Sequence, residues 1–363
     1  MRFPLKAITL LARPVAVMPS ALRLSVLDQS PIRKGGTAAG AVRETLELAQ
    51  LCDRLGFTRY WLAEHHSSEA LAGSTPEVLI TRIAGLTSRM RIGSGGVMLP
   101  HYSAYKVAEN FRMIETLFPG RIDLGIGRAP GSDQRTMRIL ADGKPNWSSA
   151  DNYPYQVRDL VSWLHDALPP KHEGFGVTAQ PVGETAPDVW LLGSSDDSAA
   201  LAAHFGLPFC FAHFINPDGG DRVTRAYSEH FKPSSLHARP LPMMAISVLC
   251  AETDEEADLL AKSREVWAMR LRTRGEAGPV PSVEEALQAA KEPGAERILP
   301  ALRRRSVVGS PKTVRAGLEM HAGAYRIDEI MAVTICFDFE KRKRSYELLA
   351  EAFGLASHFP PQA

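Results

Sequence analysis

The sequence is poor in cysteine, and its cysteines are far apart. No two of them form a CxxC pair, which argues against a zinc site with the usual ligand spacing and against a dense disulfide framework. A reducing cytoplasm is the simplest location for such a chain, and no metal site is expected. The four cysteines are Cys52, Cys210, Cys250 and Cys336.

Long hydrophobic runs and an excess of charge of one sign are also missing. No apolar run reaches the roughly 20 residues that a membrane-spanning helix needs. The 42 basic and 41 acidic residues give a formal charge of +1, whereas nucleic-acid binding depends on clustered Lys and Arg. We therefore expect no membrane insertion and no nucleic-acid partner.

The first 21 residues differ from the rest of the chain. They contain basic but no acidic residues, and their apolar stretch 7–12 ends at Arg13, which is poor material for a signal peptide. A second methionine, Met18, stands just before the first strand-like segment. We expect residues 1–21 to be an unstructured leader, or the product of a start codon placed too far upstream, and residues 22–363 to form one domain.

Short β-rich segments alternate with longer segments of helical periodicity along that domain. Such alternation favours parallel strands joined by helices. Eight units without a domain break predict an α/β fold, a (β/α)8 TIM barrel with insertions in its βα loops, at 129–187 and 273–305; an open doubly wound sheet is the alternative. The strands are expected at 22–27, 59–64, 91–99, 121–126, 188–192, 209–214, 243–250 and 329–337.

The residues that follow the strands are the informative ones, because active sites of such barrels lie at the carboxyl ends of the strands. These positions are rich in glycine and polar residues, and all of them would meet at one rim. The sequence therefore predicts a functional site there. The segments are Asp28–Ser30, Glu64–His66, Gly93–Gly96, Gly127–Gly131 and Gly193–Asp196.

The Glu64–His65–His66 segment is a weak metal motif, because it lacks the i, i+4 spacing of paired histidines on a helix. On an extended segment, successive side chains point opposite ways, so at most one histidine would face the barrel mouth. A neutral histidine there would suit general acid or base chemistry near neutral pH. The alternative is that both histidines hydrogen-bond loop backbone.

The segment 193–198 joins a strand to a helix and is a candidate anion site, because free backbone N–H groups at a helix N-terminus attract anions. Arg128, at the end of the neighbouring strand, would add a positive fork for a phosphate. The alternative is an ordinary Ser or Asp N-cap. Asp196 and Asp197 would oppose a phosphate, so we expect both to face solvent.

With these residues laid out, the chain resembles the bacterial luciferase-like family of flavin-dependent monooxygenases. The resemblance extends from about Leu22 to the last helix. Four ordered blocks with family-like spacing carry it: 55–66, 91–100, 118–128 and 192–208.

The resemblance implies a barrel that binds reduced FMN supplied by a separate flavin reductase. In the family, O2 adds to the flavin C4a, and the resulting peroxide oxidises a small organic substrate. The resemblance also implies a homodimer formed through the helices that flank strands 2 and 3. The two insertions would then shape the substrate pocket, but their sequence names no substrate.

The resemblance also assigns residues. His65 matches the histidine beside the flavin, a candidate acid or base. Gly95 and Gly96, which from their place in a strand would mark a bulge or a close backbone approach, match the pair that forms a non-prolyl cis peptide under the isoalloxazine ring. Luciferase itself has alanines at the positions of Gly95 and Gly96, and it has an acidic residue at the position that corresponds to Ser194. The phosphate-contacting positions correspond to Arg128, Ser194, Ser195 and Ser198.

Two other functions stay open at this point. The same barrel would serve a deazaflavin, coenzyme F420, as a hydride carrier in an oxidoreductase that needs no O2. A flavin-binding relative without turnover is the third possibility.

Overall fold

The computed structural model describes residues 22–129, 131, 133–141, 152–275 and 278–356. The predicted leader, 1–21, lies outside the described residues.

Eight parallel strands close into a barrel, which confirms the (β/α)8 prediction. The order around the barrel is β1 to β7 and then β9, which pairs with both β7 and β1. Closure excludes the open doubly wound sheet. The strands are β1 Arg23–Asp28, β2 Arg59–Leu62, β3 Arg91–Met98, β4 Ile122–Gly127, β5 Asp188–Gly193, β6 Phe209–Ala212, β7 Pro242–Cys250, β8 Ser306–Gly309 and β9 Glu329–Val333.

The short strand β8 is not predicted by the sequence. It pairs in parallel with the second half of β7, Ser247–Cys250, whereas Met244–Ser247 of the same strand pairs with β9. The nine-residue β7 therefore extends past the closed barrel, and the end of the second insertion adds a strand to it. With only Val307 and Val308 as apolar residues, β8 lacks the apolar run that predicts the equally short strands β2 and β6.

Helices surround the barrel. The first begins at Thr37, whose side chain accepts from Gly40 N, and ends at Gly56 in a left-handed conformation, as a C-terminal glycine does. The second insertion holds α9 and α10 rather than irregular loop alone. The helices are α1 Ala38–Leu55, α2 Pro76–Leu86, α3 Ala104–Leu117, α4 Gln134–Leu140, α5 Tyr153–Leu164, α6 Asp196–Phe205, α7 Gly220–His230, α8 Asp254–Arg274, α9 Val283–Ala289, α10 Ala295–Arg303, α11 Pro311–Tyr325 and α12 Phe339–Phe353.

A buried ionic network fills the end of the barrel where the strands begin. Arg59 donates from Nε to Glu329 (2.8 Å) and from Nη1 to Asp123 (2.8 Å). Trp61 Nε1 also donates to Asp123, at 2.9 Å. Buried charges are tolerated when they are paired and hydrogen-bonded in this way. With this end filled by side chains, the opposite rim is the end available for a ligand.

All four cysteines are buried and free of disulfides. Within the described ranges, no helix is long and apolar enough to span a bilayer. The same part of the chain holds no group of three or more His, Cys, Asp and Glu side chains placed to hold a metal ion.

Candidate active site

Glu64, two residues beyond β2, is a buried hub at the rim. Its carboxylate accepts hydrogen bonds from His66 Nε2 (2.7 Å), Tyr102 Oη (2.8 Å) and the Met98 backbone N–H (3.1 Å). These three groups come from the β2 loop, the end of β3 and the segment before α3. Glu64 therefore fixes two neighbouring loops against each other.

His65 has a different environment. Its backbone N–H donates to Gly73 O at 2.7 Å, but the buried side-chain Nδ1 has no hydrogen-bond partner among the described residues. Burial lowers the pKa of His65 from 6.5 to about 4, although the charge of Glu64 acts in the opposite direction. The imidazole is therefore neutral at physiological pH.

Both His65 and His66 line a cavity of about 1310 Å³. The expectation that only one of them faces the barrel mouth is wrong, because β2 ends at Leu62 and the alternation of an extended strand does not continue into the loop. Only His66 is held by Glu64, so the two rings still differ in what they can offer a ligand.

The cavity opens at the carboxyl ends of the strands. Gln29, Phe214 and Ile335, which follow β1, β6 and β9, contribute to its wall. The far wall comes from α8 and the segment before β8, with Trp267 and Leu302 as apolar members. The cavity is large enough for a drug-sized ligand.

The peptide bond between Gly95 and Gly96 is cis, as the resemblance implies. The pairing of β3 with β4 also shifts register between Gly95 and Val97, so the strand bulges at this point. A Cβ on Gly95 would lie 2.6 Å from Leu27 Cδ1, and one on Gly96 would lie 2.7 Å from the carbonyl oxygen of Gly125. The close approach therefore comes from atoms of the barrel itself.

Arg128 and the N-terminus of α6 lie side by side at the same rim. The Arg128 Nη2 is 3.3 Å from Asp197 Oδ2 in an exposed ion pair. Ser195 precedes the helix without making a side-chain capping bond, so it is not an ordinary N-cap. Asp196 and Asp197 are exposed, as expected, although Asp197 is engaged by Arg128.

The serines of this segment differ in their surroundings. Ser198 is buried, and its Oγ packs so closely on Gly193 that a Cβ there would clash. The backbone oxygen of Ser194 accepts from Asn216 Nδ2 at 3.4 Å. The wall of the cavity does not include the glycine pair, Arg128 or the serines; the structure places them beside it, on the adjoining strands of the rim.

Comparison with known proteins agrees with this geometry. The sequence model of the family described as luciferase-like monooxygenase matches residues 22–325. The chain belongs to the luciferase-like monooxygenase family. Membership implies an enzyme that uses O2 on a small molecule.

Several relatives of this luciferase-like monooxygenase align over nearly their whole length. A luciferase-like monooxygenase of Escherichia coli K12 is 40% identical, covering 90% of this chain and 96% of the relative. The N-acetyl-S-alkylcysteine monooxygenase of Bacillus subtilis is 37% identical, covering 91% and 98%. The crystal structure of apo-MsnO8 superimposes with a TM-score of 0.85 at 38% identity, covering 93% and 99%.

More distant structures share only the fold, and they show that it accommodates more than one flavin-type cofactor. The oxygenating constituent of 3,6-diketocamphane monooxygenase, solved with FMN, is 19% identical with a TM-score of 0.66, covering 92% and 98%. An F420-dependent secondary alcohol dehydrogenase is 12% identical with a TM-score of 0.67, covering 92% and 99%.

Two features of the site are not found by sequence reasoning. The partnership of Glu64 with Tyr102 joins residues 38 positions apart, and no short motif reveals it. The arginines of the far wall, Arg264, Arg272 and Arg305, lie in or beside an insertion, where the sequence predicts pocket walls without indicating which side chains face inward.

Proposed function

We propose that this chain binds reduced FMN and catalyses the oxygenation of a small organic substrate by O2, with the reduced cofactor coming from a separate flavin reductase. The observation that carries the proposal is the position of two features at one rim. They are the positive seat formed by Arg128 and α6, and the cavity into which His65 faces.

The seat suits a phosphate. The first-turn N–H groups of α6 lack a side-chain acceptor from Ser195, and such groups bind anions together with the helix dipole. The Arg128–Asp197 pair is exposed, and pairs of this kind contribute only about 0–1 kcal/mol, so a phosphate would readily replace Asp197. Arg128, Ser194, Ser195 and Ser198 are the residues proposed to hold it.

The ring system would lie between this seat and the cavity, against the bulge of β3. The Gly95–Gly96 pair presents no side chain there, and its backbone offers a flat surface. The neutral imidazole of His65 at the cavity wall and the polar α6 terminus provide hydrogen-bonding groups for a polar heterocycle. The residues present therefore fit a flavin mononucleotide.

Bound reduced flavin supplies the electrons that activate O2. The residues around it position the reacting groups and protect them from water. His65 is neutral above about pH 4, so a ring nitrogen accepts a proton or a hydrogen bond at the reaction centre. Glu64 holds the loop that carries His65, and the apolar part of the cavity wall excludes water from the reacting atoms.

We favour FMN over F420 because the relatives at 37–40% identity are named monooxygenases, and oxygen insertion needs a cofactor that reacts with O2.

The proposal also includes an oligomeric state and a location in the cell. A homodimer is supported by exposed apolar residues on α2 and α3, Val78, Met113 and Leu117. A cytoplasmic location is supported by the four free thiols.

The test compares the two cofactors directly. The purified chain is titrated without O2 with reduced FMN and with reduced F420, followed by flavin absorbance, and isotopically labelled O2 is then admitted with a panel of substrates. We expect FMN to bind and labelled oxygen to enter a product. Hydride transfer from F420 without O2 would support the second function, and binding without turnover the third.

Variants link the result to the site. Arg128→Ala should weaken binding of reduced FMN by about 1.5–3 kcal/mol, the scale for a hydrogen bond to a charged group, whereas Asp197→Asn should strengthen it. Arg225→Ala is the matched control, because Arg225 has similar exposure and a similar pair with Asp221. His65→Ala should lower product formation; unchanged turnover would remove His65 from the mechanism.

A further inference from the structure

Three arginines line the far wall of the cavity. Arg264 and Arg272 come from α8, and Arg305 immediately precedes β8. Within the described residues, none of the three guanidinium groups forms a salt bridge to a carboxylate. The three side chains therefore add positive charge to the cavity wall without a direct ion pair, although the more distant carboxylates of Glu265 and Asp218 act on Arg264 and Arg305.

Neighbouring arginines on the same elements show the contrast. Arg270 pairs with Glu285 (3.1 Å), Arg304 with Asp218 (2.6 Å), and Arg303 with both Asp258 and Glu265. On α8, α10 and the segment before β8, the arginines without a salt bridge among the described residues are thus the three that line the cavity.

The hydrogen-bonding capacity of the cluster is also incompletely used. Arg264 donates from Nη1 to Ser306 Oγ at 3.1 Å, but the buried Nε atoms of Arg264 and Arg305, like that of the paired Arg270, have no partner among the described residues. Unpaired buried donors cost free energy. A negative charge in the cavity, close to these guanidinium groups, would offset part of that cost.

The charges of the cluster act on each other. Burial lowers the pKa of Arg264 to about 10; the charge of Glu265 opposes this shift and the charge of Arg305 adds to it. Burial together with the charge of Arg272 lowers the pKa of Arg305, against the opposite effect of Asp218. This mutual repulsion is relieved when an anion binds between the groups.

The rest of the cavity favours an apolar body for the ligand, because Phe214, Trp267, Leu302 and Ile335 contribute to its wall. Two carboxylates also line it. Asp133 accepts from the backbone of Arg135 and Thr136, and Glu69 is exposed. Neither is within salt-bridge distance of the three arginines.

The cluster is separate from the proposed phosphate seat. Arg128 and α6 follow β4 and β5, whereas the arginines follow β7 or precede β8, two to three strand positions away around the barrel. The two sites therefore suit two anionic groups on different molecules.

We propose that the substrate is an organic carboxylate with an apolar body, and that Arg264, Arg272 and Arg305 bind its carboxylate group. Arginine forks match carboxylates through paired hydrogen bonds. That this ligand is the substrate rests on the proposed function. The existence of the anion site does not depend on that function.

The test uses 4-phenylbutanoate and its neutral counterpart 4-phenylbutanamide, titrated into the full chain by calorimetry without flavin. We expect the carboxylate to bind about tenfold or more tightly than the amide, the ratio expected from a hydrogen bond to a charged group. Equal affinities, or no binding of the carboxylate at millimolar concentration, would overturn the proposal.

Variants separate the possible explanations. Arg305→Gln and Arg264→Gln should abolish the preference for the carboxylate while leaving amide binding unchanged, and Arg272→Gln, at an exposed position, should reduce it less. Arg297→Gln, whose side chain is 88% exposed, is the control. A preference that survives both Arg264→Gln and Arg305→Gln, with folding verified by thermal melting, also contradicts the proposal.

Reduced FMN is titrated into the same variants. We expect the affinity for reduced FMN to be unchanged by Arg305→Gln and reduced by Arg128→Ala. The affinity for the carboxylate should be reduced by Arg305→Gln and unchanged by Arg128→Ala. Loss of FMN affinity in Arg305→Gln would identify the arginines as the flavin phosphate site and overturn the proposal. Carboxylate binding without any FMN binding would leave the anion site standing and contradict the proposed function instead.

Discussion

Burial controls the charge of His65. Its ring has lost water without gaining a partner at Nδ1, and this loss outweighs the attraction of the nearby Glu64 carboxylate. A neutral imidazole beside a reaction centre accepts protons at neutral pH, which a charged one does not. The neighbouring His66 shows how local this effect is, because Glu64 holds its Nε2 at 2.7 Å.

The lowered pKa of His65 predicts a pH dependence of stability. Above the unfolded value of 6.5, the histidine is neutral in both states and has no effect. As the pH falls from 6.5 to about 4, the unfolded chain takes up a proton that the folded chain does not, so the free energy of unfolding decreases by about 1–3 kcal/mol. His65→Asn should remove this part of the loss, as measured by denaturant unfolding across that range.

His213 provides an independent comparison, since burial lowers its pKa to about 4 as well. His213→Asn should also diminish the loss of stability on acidification, and the effects of the two substitutions on the free energy of unfolding should be additive. An equal loss in the wild type and His65→Asn would show that His65 is not held neutral by the fold.

Glycine allows β3 and β4 to approach each other where the rim is built. A Cβ on Gly125 would clash with the carbonyl oxygen of Ser94, a backbone atom that cannot rotate away, and one on Gly93 would meet the Asp123 backbone at 2.5 Å. The same strand β4 ends at Gly127, where a Cβ would make an ordinary contact of 3.5 Å with the Met98 sulfur. Glycine is thus required by packing at one position of β4 but not at the other.

This difference predicts unequal effects of the same substitution. Gly125→Ala should lower the free energy of unfolding by about 1–3 kcal/mol, the usual cost of overpacking, whereas Gly127→Ala should change it little. Thermal and denaturant unfolding without flavin measure both. Equal stability of the two variants would show that β3 and β4 separate at no cost.

The whole molecule is asymmetric along the barrel axis. Charged groups fill the end where the strands begin, and the opposite rim carries the Glu64 hub, the cavity and the Arg128 seat. On the outside, α2 and α3 expose Val78 (64%), Met113 (52%) and Leu117 (55%). Met113 and Leu117 are four residues apart and so share one helix face.

If α2 and α3 form a homodimer interface, a charge placed in it should separate the subunits, because an unpaired buried charge is costly. Met113→Arg should convert a dimer into a monomer in size-exclusion chromatography with light scattering. Met320→Arg on α11, at a position that is 65% exposed, should leave the dimer intact. A dimeric Met113→Arg variant, or a monomeric wild type, would contradict this interface.

Different parts of the site are predictable to different degrees. The rim positions of His65, Arg128 and Ser195 could be predicted because they directly follow strands, and parallel strands bring their carboxyl ends together. The bond between Glu64 and Tyr102 could not, because it depends on how two loops meet. The same holds for Arg264 and Arg305, whose direction depends on the packing of α8 and the second insertion.

Local patterns in the sequence specify the alternation of strands and helices, and with it the barrel, the end of the barrel that carries the site, and the family resemblance. These follow from local periodicity and from motifs of neighbouring residues. The folded structure is needed to show that β8 extends β7, that Glu64 holds the ring of His66 and not that of His65, and that three arginines line the cavity without a salt bridge among the described residues. Those properties depend on burial and on distances between segments far apart in the chain, which local patterns do not specify.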